Sequence, residues 1–235
     1  MDRGAQISCI AEISSGHALR ICVRNERGDR MIGIIDYGMG NLRSVQKAFA
    51  YLGFDAQILG SLSEAEKAER LVLPGVGAFQ DAMERLRTTH LDEAVLCAAR
   101  AGKPVLGICL GMQMMFEASE ENGLFTGLGL FPGRIQRMEA HGLKIPHMGW
   151  NAIETKKCML FDDIPMTEGP CVYFVHSYCA PEINDWTAAT CTYGQTFTAA
   201  VCRDNICATQ FHPEKSGTVG LEMLRRFATW EGTAC

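Results

Sequence analysis

From Met31 onward, apolar and polar positions follow two rhythms. "MIGIIDY" is an apolar run of buried-strand length, and Gly38-Met39-Gly40-Asn41 follows as a turn. "LRSVQKAFAYLG" then repeats apolar residues at helical spacing, with Asn41 placed to cap it and Gly53 to close it. "FDAQIL" reads as a strand, "SLSEAEKAE" as a short polar helix or loop capped by Ser63, and "RLVLPG" as a strand ending in Pro-Gly. "AFQDAMERLRTTHLDEAVLCAARAG" is helical, divisible into two pieces. "KPVLGIC" returns to strand and "LGMQMMFE" begins a helix. Strands alternating with helices predict a parallel sheet with right-handed crossovers.

Beyond about residue 125 the rhythm shortens. "GLGLFPGRIQRM", "IPHMGWNAIE", "CVYFVHSY", "TAATCTYG", "FTAAVCRD" and "NICATQFHPE" are short β-like runs between turn residues. A last helix, "SGTVGLEMLRRFATW", starts after Lys215 and presents Val219, Leu221, Met223, Leu224 and Phe227 for packing. The expected fold is α/β: one domain, residues 31–235, with a central mixed, mostly parallel sheet flanked by helices on both faces. Residues 1–30 lack this grammar and end in a charged stretch. They are expected to be a poorly ordered N-terminal extension, with Met31 as the functional start.

Composition narrows the class. The chain has 235 residues, 47% hydrophobic and 21% charged, which suits a globular domain. The formal net charge of −5 and the lack of basic runs speak against nucleic acid, and no apolar run approaches a membrane span. Eleven cysteines without a CxxC pair or a Cys/His quartet are expected to be reduced core thiols. That points to a cytoplasmic or equivalent reducing compartment. No cofactor or metal is suggested, and "DD" at 162–163 reads as a loop cap.

Chemistry enters at "GICLGMQ", residues 107–113. A strand delivering Cys109 to a sharp turn, with a helix behind it, is a nucleophile elbow. Gly107 and Gly111 supply small flanks where the chain crowds, and the helix start favours a thiolate. A structural cysteine between packing glycines is the competing reading of this stretch alone. A thiol nucleophile needs a base and a group that orients the base. Of six histidines, His212 in "NICATQFHPEKS" is best placed, just past a strand, with Glu214 two residues on. Glu214 can hold one ring nitrogen while the other faces the thiol. In "LVLPGVGAF" a strand ends in Pro74-Gly75-Val76-Gly77, a loop able to supply an oxyanion donor near Val76. The N–H of Leu110 would be the second donor.

PGVGAF, GICLGMQ and FHPEKS, in this order, resemble the class I (triad) glutamine amidotransferases. "IGIIDYGMGNLRSVQKAF", "GRIQRM…KIPHMGWN" and "YFVHSY" narrow the likeness to the glutaminase subunits of imidazole glycerol phosphate synthases, over about residues 31–230. The resemblance implies a flavodoxin-like fold and glutamine hydrolysis through a thioester on Cys109. It implies that Gly75, Gly77 and Gln113 contact the glutamine, and that the backbone at His176, Ser177 and Tyr178 holds its carboxylate. It implies ammonia transfer to a (β/α)₈ cyclase partner in a heterodimer of histidine biosynthesis, with no metal or organic cofactor. That partner makes imidazole glycerol phosphate and aminoimidazole carboxamide ribotide. Asn41, Trp150, Asn151, Tyr173 and Lys215 fall in segments that line the docking face of such subunits, and His147 is placed near it. His90 and His141 read as loop or helix-end residues.

One departure from the wider class is Val76, where many members carry a second glycine. A β-branched residue restricts the backbone there. The Gly75–Val76 peptide is therefore expected to withhold its oxyanion donor until partner and ligand bind. Three rivals remain open at this point: a glutaminase subunit of another pathway such as pyridoxal phosphate synthesis, a stand-alone cysteine hydrolase of γ-glutamyl compounds, and a non-enzymatic binding subunit.

Overall fold

The structure is a computed structural model and describes residues 31–162, 164, 170–181 and 184–232. The expectations for residues 1–30, His17 among them, and for Asp163 fall outside the described residues.

Strand β1 (Ile32–Ile35) is buried at all four positions, as its continuous apolar run requires. The turn after it leads into α1 (Leu42–Tyr51), which ends at Leu52 and Gly53, with Gly53 at φ 82°. Then follow β2 (Ala56–Leu59), α2 (Leu62–Ala65), β3 (Arg70–Gly75), α3 (Phe79–Thr88) and α4 (Leu91–Arg100). His90, at φ 57°, separates the last two helices. Next come β4 (Val105–Cys109) and α5 (Leu110–Met114). The cap of α2 is Ser61, not Ser63: the extended Ser61 accepts from the Glu64 N–H, and Ser63 already lies inside the helix.

The helix expected over "LGMQMMFE" stops at Met114. Phe116–Ser119 (β5) instead pairs with β6 (Phe125–Thr126) and β7 (Phe131–Arg137), so cross-strand bonding overrides the helical spacing there. The rest of the chain adds β8 (His147–Ala152), β9 (Glu154–Thr155), β10 (Cys171–His176), β11 (Tyr178–Cys179), β12 (Thr187–Tyr193), β13 (Gln195–Arg203) and β14 (Ile206–Thr209). A 3-10 turn, Pro213–Lys215, precedes α6 (Gly217–Thr229).

The main sheet runs β2-β1-β3-β4-β14-β13-β12-β9. Its first five strands are parallel and the remainder antiparallel. The expected mixed α/β sheet is therefore present. On one face, α1 and α6 bury Val45, Phe49, Met223, Leu224 and Phe227 against Ile34, Val72 and Ile108. On the other, α3, α4 and α5 bury Phe79, Leu86, Val95 and Met112 against Ile35, Leu71 and Leu73. Small sheets of β8 with β10, and of β5, β6, β7 and β11, sit beside the main one.

The parallel strands β3, β4 and β14 end side by side, and residues 75, 109 and 212 lie at or just past those ends. This is the edge where open α/β sheets place ligands. Among the described residues no helix is long and apolar enough to cross a membrane.

The cysteines only partly follow expectation. Burial pushes the thiols of Cys179 and Cys191 up to about 12, so they stay protonated in the core. Cys202 and Cys207, however, are directly opposite on β13 and β14 and form a disulfide. Cys158 Sγ lies 2.7 Å from the sulfur of Cys202.

Candidate active site

Cys109 closes β4 and caps α5 with φ 56° and ψ −110°. A non-glycine residue at positive φ is costly, and such strain persists only where the surroundings hold it. The glycines show what holds it. A methyl on Gly111 would lie 1.8 Å from the Leu73 carbonyl oxygen; one on Gly107 would lie 2.9 Å from Met115 Sδ and 3.0 Å from Ala208 Cβ. The elbow is thus wedged between β3 and β14, and the side chain of Cys109 is 6% exposed.

Gly75 pairs with Cys109 across the parallel ladder. A Cβ there would meet Gly111 N, Leu110 Cβ and the Tyr37 hydroxyl, all at 2.8 Å, so backbone approaches backbone at the loop that follows β3. The Tyr37 hydroxyl donates to the Pro74 carbonyl at 3.0 Å, and burial raises its pKa so that it remains a donor. Gly77 has φ 98°, and Val76 is 40% exposed on the outer side of this turn.

His212 is brought to the elbow by backbone bonds rather than by β14 itself. Its N–H donates to the Tyr173 carbonyl at 2.9 Å, and its own carbonyl accepts from Ser216 Oγ at 2.6 Å. The 3-10 turn that follows swings Glu214 back beneath the ring, so that His212 Nδ1 donates to Glu214 Oε1 at 2.9 Å. Both side chains are almost fully buried, at 2% and 1% exposure. His212 Nε2 is buried without a hydrogen-bond partner of ordinary geometry. Desolvation lowers the pKa of His212, but the sulfur of Cys109 and the Glu214 carboxylate outweigh it and raise the value to about 9. The imidazole therefore senses both the thiol and the acid.

Behind the nucleophile, the Cys109 thiol donates to the Val175 carbonyl at 3.9 Å. Gln113 Nε2 donates to the Tyr178 carbonyl at 2.9 Å and to Gln210 Oε1 at 3.0 Å. His176 Nδ1 lies 2.9 Å from the same Tyr178 carbonyl, which can only accept, so Nδ1 carries the proton. Burial lowers the pKa of His176 to about 3, leaving Nε2 a bare acceptor for His147 Nδ1 at 3.1 Å. His147 is 2% exposed and stacks between Phe174 and Tyr193, with burial lowering its pKa to about 4. Its side chain therefore faces the core, on the strand that also carries the exposed Met148 and Trp150. Ser177, between His176 and Tyr178, is partly exposed.

Of the proposed docking residues, Trp150 is 57% exposed and pairs across β8 and β10 with Tyr173, ring centroids 6.2 Å apart. Lys215 Nζ stands 5.7 Å over the Tyr173 ring. Met148, two residues from Trp150 on the same face of β8, is also largely exposed and was missed in the sequence. Asn151 points elsewhere, its amide donating to the Thr192 carbonyl at 3.2 Å. Asn41, at the start of α1, accepts from Ser44 Oγ at 2.8 Å. His90 and His141 are exposed and remote, facing Glu93 and Glu139.

Gln210 was also missed. It is fully buried, and its Nε2 donates toward Cys109 Sγ at 3.8 Å. Thr209 beside it is polar and uncharged as well, so the sequence carries no signal that singles Gln210 out.

Comparison with known proteins agrees with this geometry. The family described as "Glutamine amidotransferase class-I" matches residues 33–229. The imidazole glycerol phosphate synthase subunit HisH of Syntrophotalea carbinolica is 50% identical over 205 residues, spanning 84% of this chain and 98% of its own length. The chloroplastic imidazole glycerol phosphate synthase hisHF of Arabidopsis thaliana is 45% identical over 204 residues, which are 85% of this chain and 34% of that protein. Among solved structures, PurLQS from Thermotoga maritima superposes with a TM-score of 0.68 at 18% identity, over 85% of this chain and 98% of that one. That likeness concerns the fold. With the strand-end elbow, the buried His212–Glu214 pair and a family match over most of its length, the chain belongs to the class I glutamine amidotransferases.

Proposed function

We propose that this chain is the glutaminase subunit of an imidazole glycerol phosphate synthase. The observation that carries the reading is the buried His212–Glu214 bond, with the opposite ring nitrogen left to Cys109 beside the Gly75 loop. The HisH relatives at 50% identity support the pathway.

In this reading Cys109 Sγ attacks the side-chain amide carbon of glutamine. His212 Nε2 takes the thiol proton and returns it to the leaving nitrogen, so that ammonia departs. Glu214 holds the ring in the tautomer that leaves Nε2 free, and it stabilises the imidazolium that forms. The oxyanion falls between the N–H of Leu110 and that of Val76. Water, deprotonated by His212, then cleaves the glutamyl thioester. Gly75, Gly77 and Gln113 contact the glutamine, and the backbone of His176, Ser177 and Tyr178 holds its carboxylate.

Ammonia passes to a cyclase subunit, a (β/α)₈ barrel that docks on Trp150, Tyr173 and Lys215, with Asn41 and Asn151 at the margin. Val76 limits the conformations of the oxyanion loop, so hydrolysis waits for the partner and its ligand. The test is co-purification with a candidate cyclase and measurement of glutamate release with and without the cyclase ligand. Strong partner-dependent hydrolysis supports the reading. Equal hydrolysis by the isolated chain indicates a stand-alone hydrolase instead.

A further inference from the structure

We propose that Gln210 is a further catalytic residue, donating through its side-chain amide to the sulfur of Cys109 and stabilising the thiolate. The inference rests on the reading of Cys109 as the nucleophile.

Hydrogen-bond logic fixes the orientation of the Gln210 amide. The Tyr178 carbonyl can only accept, so the group that Gln113 presents to it is its NH2. The second hydrogen of that NH2 points at Gln210, 3.0 Å away, which must answer with its oxygen. Turning Gln210 over would set donor against donor inside the core. The nitrogen of Gln210 is thereby committed to the other side, where Cys109 Sγ lies at 3.8 Å. His176 holds the same Tyr178 carbonyl from another direction and is itself held by His147, so the network is anchored at both ends. All its side chains are buried, which strengthens each bond and makes an alternative arrangement costly.

The sulfur thus sits between an acceptor and a donor. As a thiol, Cys109 gives its proton to the Val175 carbonyl at 3.9 Å; as a thiolate, it can no longer do so. The Gln210 N–H is then a neutral donor aimed at the charge, additional to the imidazolium of His212. It acts again in the second half of the reaction. Water attacks the thioester carbonyl and yields a proton to His212 Nε2. The carbon–sulfur bond breaks, its electron pair stays on Sγ beside the Gln210 N–H, and the proton on His212 then restores the thiol.

The test is the rate at which iodoacetamide alkylates Cys109 in the full chain at neutral pH, followed on the Cys109 peptide by mass spectrometry. Gln210→Met keeps the volume and removes the donor; Gln210→Asn keeps an amide but withdraws it from the sulfur. Each is expected to slow alkylation about tenfold, the weight of one hydrogen bond to a charged atom. Glutamine turnover in the cyclase complex should fall comparably in kcat, with KM little changed. A folded variant whose Cys109 reacts within about twofold of wild type, well inside that expectation, overturns the proposal. If neither variant folds, the wild-type protein decides. The Gln210 side-chain amide protons must shift in the NMR spectrum on Cys109→Ala, and unchanged resonances contradict the contact. Alkylation needs no glutamine, so it separates this idea from the functional one. A wild type inert toward glutamine with and without cyclase refutes the glutaminase reading and leaves the alkylation comparison intact.

Discussion

Gly111 and the carbonyl of Leu73 are so close that a methyl group on the glycine would lie 1.8 Å from that oxygen. The clash is with backbone, which cannot rotate away as a flexible side chain can. Gly111→Ala is therefore expected to destabilise the fold by several kcal/mol, of the order seen for overpacked cores, and to displace Cys109 from the strand end. Thermal unfolding of the purified variant checks it. A melting temperature within a degree or two of wild type would mean that β3 and the elbow are not wedged as described.

Glu214→Gln tests the orienting bond. Its side chain is buried against His212 Nδ1 at 2.9 Å. The amide can present either an oxygen or an NH2 to that nitrogen, so the tautomer is no longer fixed. Glutamine turnover in the cyclase complex should fall by about 10²–10⁴-fold, mostly in kcat.

The same site predicts a pH dependence of stability. The pKa of His212 is raised to about 9 in the folded chain against an ordinary 6.5, chiefly by Cys109 and Glu214 working against desolvation. The folded state then binds more protons between these values, so this contribution is complete below 6.5 and is lost as pH rises toward 9. His147 acts in the opposite direction. Its pKa is lowered to about 4 by burial, so protonation of the unfolded chain erodes stability as pH falls from 6.5 toward 4. Groups facing it are His176, Phe174, Tyr193 and Phe197, none of them acidic. Melting curves across pH should decline on both sides. His147→Phe should flatten the acid limb, and His212→Gln the alkaline limb.

Much of this was legible in the sequence. The continuous apolar strands Ile32–Ile35 and Val105–Cys109, the helical spacing of Leu42–Tyr51 and the glycines around Cys109 each obey local rules that the fold keeps. What escaped depends on contacts distant in the chain. Phe116 and Glu117 read as the continuation of a helix until Phe131–Arg137 pairs with Phe116–Ser119. The N-terminus of α3 takes its cap from Glu121, whose carboxylate accepts from the Phe79 N–H at 2.7 Å, forty-two residues away. The burial of the His147 ring shows only once Phe174, His176 and Tyr193 enclose it, and Gln210 looks like any strand residue until its partner is known to be Cys109.

Val76→Gly frees the backbone of the loop proposed to hold the oxyanion, where Val76 is exposed and belongs to neither core cluster. Glutamine hydrolysis by the isolated chain is expected to rise by about 10–10²-fold, part of the worth of one oxyanion donor. The activity of the cyclase complex should change far less. An isolated variant as slow as wild type would remove the gating idea.

Trp150→Ala should weaken association with a cyclase without loss of thermal stability, because the indole is mostly exposed, beside Tyr173 and near Gly217. A loss of about 1–2 kcal/mol or more in affinity by titration calorimetry is expected for a central aromatic anchor. Unaltered binding would move the docking face away from β8 and β10.

The most direct measurement is made on the chain bound to the proposed cyclase partner and supplied with glutamine, quenched in acid during turnover and digested for mass spectrometry. A glutamyl adduct on the Cys109 peptide, absent in Cys109→Ala and accompanied by glutamate release only in the wild type, is the predicted result. Glutamate release that persists in Cys109→Ala, with no adduct on the wild-type peptide, would contradict the account.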